Sequence, residues 1–70
     1  MYKFKNNFIY YISKIKNETY ILDCNTNEIT ELDSIGTELL RELLDTIDEK
    51  RTMEILKLFE GCDFFEKRSA

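Results

Sequence analysis
Seventy residues, 43% of them hydrophobic, allow one small domain with a single core and no cleft between domains. Histidine, tryptophan and proline are absent and glycine occurs twice, which excludes His-based triads, His-ligated zinc sites, proline-rich linkers and glycine-rich phosphate loops. The formal charge of −4 is unevenly spread, at +4 over residues 1–17, −9 over 18–49 and +1 over 50–70, so the middle repels a phosphate backbone and suits a partner that brings lysine or arginine.

The basic start leads into Phe8–Ile12, an apolar run too short for a signal peptide and ended by Lys14 and Lys16. No apolar run approaches the ~20 residues that span a bilayer, and the expectation is a cytoplasmic protein with no membrane partner. Phe8 to Ile15 is rich in strand formers and predicts a first strand, followed by a turn at Lys16-Asn17-Glu18. Thr19 to Asp23 reads as a second strand. Cys24-Asn25-Thr26-Asn27 reads as a polar turn, because asparagine tolerates a left-handed backbone. Glu28 to Leu32 alternates in polarity and predicts a third, half-buried strand with Ile29 and Thr30 on opposite sides. Short loops make these three an antiparallel meander with the third strand at an edge.

Composition changes near residue 33. Asp33 or Ser34 can cap a helix whose apolar stripe is Ile35, Leu39, Leu40, Leu43, Leu44 and Ile47, with Glu38, Arg41, Glu42 and Asp45 outward. Asp48 to Arg51 reads as a polar break, Thr52 as the cap of a second helix with Ile55, Leu56 and Phe59 inward, and Gly61 as its end. Phe64 and Phe65 follow, on a short last helical turn. The expected architecture is one α+β domain over residues 1–70, a three-stranded meander followed by two or three helices that cover one sheet face.

Nothing in this pattern points to catalysis, a metal or a cofactor. The paired carboxylates, Glu28 with Glu31 and Asp45 with Asp48 and Glu49, sit in polar contexts and read as solvated faces. Asp23 to Glu28 lacks the sixth-position glycine and twelfth-position glutamate of a calcium loop. Cys24 and Cys62 form no C-x-x-C pair and read as free thiols.

The stretch from Tyr20 to Asp45 resembles the PqqD-like family, the leader-peptide recognition elements of ribosomally made, post-translationally modified peptide pathways. Leu32-Asp33 is similar to the family's Leu-Asn pair, Gly36 to its small residue, and Leu39, Leu40, Leu43 and Leu44 to its helix core. Thr52-Met53-Glu54-Ile55 matches its Thr-x-x-Ile spacing. The resemblance covers about residues 8–60 and implies a winged-helix-like domain without catalytic activity. Such a domain binds a precursor's leader peptide and presents it to a modifying enzyme, for example a radical S-adenosylmethionine enzyme, a cyclase or a protease. The leader would add a strand to Glu28, Ile29, Thr30, Glu31 and Leu32, with Phe64 and Phe65 as apolar wall or as core closure. The family's longer third helix is missing here, so the resemblance implies a stub or a helix supplied by a second copy in a homodimer.

A rival expectation is a small phage- or mobile-element-encoded antagonist whose acidic middle occupies the basic nucleic-acid groove of an enzyme. Direct nucleic-acid binding is not expected, because the first helix is acidic and no helix is basic enough to read a groove.

Overall fold
The computed structural model describes residues 2–67. In chain order they form β1 (Tyr2–Phe4), β2 (Phe8–Ser13), β3 (Glu18–Asp23), β4 (Glu28–Leu32), α1 (Ser34–Asp45), α2 (Glu49–Leu58) and β5 (Phe65–Lys67). The meander is as expected, an antiparallel sheet of order β2-β3-β4. Asn17 (φ 51°) and Asn27 (φ 62°) supply the left-handed residue that ends each connecting turn.

Helix α1 packs on one sheet face, and α2 packs on α1. Asp33 caps α1 by accepting from the Gly36 amide at 2.9 Å. Thr37, Leu40 and Leu43 are the residues α1 buries, with Leu39 and Leu44 half-buried. Ile35 and Ile47 depart from the expected stripe, at 71% and 82% exposed. Ile35 sits about 140° round the helix from Leu40. Ile47 lies beyond the helix end, in the link before α2. Gly36 is small for a packing reason, since a Cβ there would stand 3.2 Å from Leu32 Cβ.

The second helix starts earlier than expected. Asp48, not Thr52, is its cap, accepting from the amides of Lys50 and Arg51. Thr52 is buried inside the helix, where its hydroxyl donates to the Asp48 carbonyl. Gly61 (φ 90°) then turns the chain just beyond the helix.

No third helix forms among the described residues. Phe65–Lys67 is instead a strand that pairs antiparallel with Tyr2–Phe4, a strand not expected from the sequence; residues 68–70 of the expected helical tail lie outside the described residues. The physical reason is aromatic packing. Phe4 and Phe65 lie opposite each other with ring centroids 4.9 Å apart, Phe4 stacks on Tyr10 at 4.5 Å, and Phe65 meets Phe59 edge-on at 5.4 Å. Helical geometry would pull Phe65 out of register with Phe4. The ribbon thus closes a core formed by Phe4, Ile21, Leu40, Leu43, Ile55, Phe59 and Phe64.

A candidate strand-docking edge and its groove
Which main-chain groups the sheet leaves open follows from the phase of its ladder. Hydrogen-bonded and non-bonded pairs alternate along an antiparallel pair. The Cys24 amide donates to the Asn7 carbonyl at 2.8 Å, so that pair is a bonded one. Counting along the register, Glu18, Tyr20 and Leu22 turn their main-chain groups towards β2, and Thr19, Ile21 and Asp23 towards β4. Their partners Leu32, Thr30 and Glu28 therefore face β3, and Ile29 and Glu31 point their N–H and C=O away from the sheet. Strand β4 is an edge, as expected, and its open groups belong to two residues.

The other edge, β2, is also open among the described residues, at Tyr10 and Ile12. On β2 the same phase turns Phe8, Tyr10 and Ile12 outward, but the Phe8 amide already donates to the Lys5 carbonyl at 3.0 Å. Tyr10 is held by its stack on Phe4.

Of the seven residues expected to bind peptide, the structure brings three to one place. Glu28, Thr30 and Phe64 line a groove of about 310 Å³ between the sheet and the segment after α2. Phe64 is 8% exposed, so it serves both expectations at once, closing the core and forming the groove's apolar wall. Ile29 and Glu31 lie on the opposite sheet face, and Leu32 packs against the core beside α1. Phe65 is not part of this wall; it belongs to β5, because its ring is drawn to Phe4 and Phe59. The groove also takes in residues that the sequence did not single out. Ile21 and Phe8 join Phe64 at its apolar floor, and Asp23 and Asp63 join Glu28 at its mouth. Period-two alternation puts Ile21 and Asp23 on one face; no local signal places Asp63 there.

Among the described residues Asp63 pairs with Lys5, while Asp23 and Glu28 have no cationic partner. The Asn25 amide, donating to Asp23 at 2.9 Å, holds that carboxyl below its ordinary range; desolvation opposes it, and hydrogen bonds from Asn7 and Thr26 add to the lowering. Asp23 is thus ionised at neutral pH.

The face of the meander away from the helices is apolar and uncovered. Ile9, Leu22 and Ile29 form one row across it, with Ile9 61% and Ile29 65% exposed. Tyr11, Tyr20 and Glu31 form the next.

The acidic middle is split between two surfaces. Glu28 and Glu31 are on β4, while Glu38, Glu42 and Asp45 are on α1 beside Arg41 and Arg51. Glu42 accepts two bonds from the Arg51 guanidinium, at 2.5 and 2.9 Å; these bonds hold its carboxyl below the ordinary range and raise the Arg51 value. Both cysteines are free and exposed. Among the described residues no three or more Cys, Asp or Glu gather in a geometry that could hold a metal, and no helix is long and apolar enough to cross a membrane. No family model, curated protein or solved structure matches this chain.

Proposed function
We propose that this domain is a non-catalytic, PqqD-like peptide carrier that takes an extended segment of a precursor peptide as a fourth strand on β4 and holds it for a peptide-modifying enzyme. The observation that carries this reading is the β4 edge, where two residues have main-chain groups without a partner among the described residues and lie beside an apolar groove. Backbone pairing supplies affinity with little demand on sequence, and side chains on either face of the added strand supply selection. Residues of the peptide facing one way meet the groove; those facing the other extend the row that ends in Ile29. Tethering a substrate near an active site raises its local concentration without any chemistry by the carrier.

Two features favour a foreign strand over a second copy or a nucleic-acid enzyme. Self-pairing of β4 would gather Glu28 and Glu31 of both copies into one seam, which like charges oppose. A mimic of nucleic acid needs one continuous acidic face, whereas here the α1 acids are interleaved with arginines and Glu42 is neutralised by Arg51.

The test is backbone-specific. Random peptides displayed on phage are selected on the immobilised full chain, and the winners are titrated against Glu31→Pro and Glu31→Ala. Proline removes an outward amide that β3 does not use, so that variant stays folded and loses binding, whereas alanine retains it. Equal binding by the folded proline variant and the parent rules out strand addition at β4.

A further inference from the structure
The mouth of the groove holds two carboxylates side by side with no opposing charge between them among the described residues. Asp23 and Glu28 are direct cross-strand partners on the same sheet face, a spacing that puts their Cβ atoms about 5 Å apart. Like charges so placed cost stability, and among the described residues no lysine or arginine bridges them. Asp63, across the groove, spends its charge on Lys5. Behind the carboxylates lie Phe8, Ile21 and Phe64, an apolar floor long enough for an alkyl stem. The flank of the groove is Thr30, the inward-facing residue between the two open backbone positions Ile29 and Glu31.

We infer that the groove is a specificity pocket for one lysine or arginine side chain of the docked strand, carried by the residue that lies across from Thr30, its stem on Ile21 and Phe64 and its cationic head between Asp23 and Glu28. This rests on the strand-addition reading and adds to it a register and a side-chain class. A strand added to β4 lies about 4.8 Å from it, a gap that a lysine or arginine stem spans while its head stays near water. Neighbouring residues of the same strand point to the other face, beside Ile29 and Glu31. The recognised sequence is therefore a basic residue with an apolar or β-branched residue on at least one side. Charge complementarity selects this occupant, since an aliphatic side chain would bring the two carboxylates no opposing charge, and an acidic one would add a third.

The peptides selected on the full chain test this directly. Enrichment of lysine or arginine next to apolar residues is expected. Replacing that one residue by norleucine, which keeps the stem and drops the charge, weakens binding about five- to tenfold, and the difference shrinks in Glu28→Gln, where Asp23 is the one carboxylate left beside the head. Raising salt reduces the preference for the basic peptide more in the parent than in Glu28→Gln. Peptides whose binding Glu31→Pro abolishes, yet which show no basic preference and tolerate norleucine, overturn the pocket and leave strand addition standing. Binding that Glu31→Pro does not affect, or the absence of any selected peptide, overturns the strand reading and this inference with it.

Discussion

The hydroxyls of Thr19 and Thr37 join β3 to α1 through a 2.7 Å hydrogen bond, both residues fully buried. Each satisfies the other, so removing one leaves a buried polar group without a partner. Thr37→Val is expected to cost about 1–3 kcal/mol in urea unfolding, and the Thr19→Val/Thr37→Val double variant to recover much of that loss. Asp23 makes a second residue-scale prediction. Its carboxyl titrates at about 3.9 when unfolded and lower when folded, so its contribution is complete above the unfolded value and fades as pH falls through the folded one. Asp23→Asn should flatten the fall of the urea midpoint below pH ~4 and leave the alkaline side unchanged. An unchanged acid limb would mean that other carboxylates, Glu42 among them, dominate it.

Among the elements, β4 shows how much a sequence conveys and where it stops. The alternation of Glu28 to Leu32 names the strand and its two faces, and the short loops before it name its edge position, all of which the structure bears out. It does not say which residues aim their main chain outward, because period two is the same for either ladder phase. That phase is set by contacts elsewhere, at Asn7 and Cys24. Thr30→Pro should therefore remove a β3–β4 ladder bond and cost about 1–3 kcal/mol, while Glu31→Pro leaves the ladder intact. Paired thermal melts check the contrast, and a larger loss in Glu31→Pro than in Thr30→Pro would reverse the assigned phase. The start of α2 was misplaced for a related reason. Both Asp48 and Thr52 are capping residue types, and only packing of Thr52 into the core decides between them. Asp48→Ala should cost about 1 kcal/mol in the same melts. The terminal ribbon was invisible locally, since three-residue strands carry almost no periodicity and their pairing spans most of the chain.

At the level of the molecule, a small core leaves little margin. Chains of this length rarely hold more than about 3–5 kcal/mol, and emptying a buried phenylalanine site costs about as much. Phe64→Ala is thus expected to abolish the cooperative melt, removing groove wall and core member together. Retention of a sharp transition would show that the ribbon and helices close the core without it.

The pairing of Tyr2–Phe4 with Phe65–Lys67 also bears on how the protein is made. A polypeptide leaves the ribosome from its amino end, so β1 emerges before β5 is made. During that interval Phe4 has no cover from Phe65, and any folding intermediate that lacks β5 exposes a sticky aromatic seam for chaperones to shield.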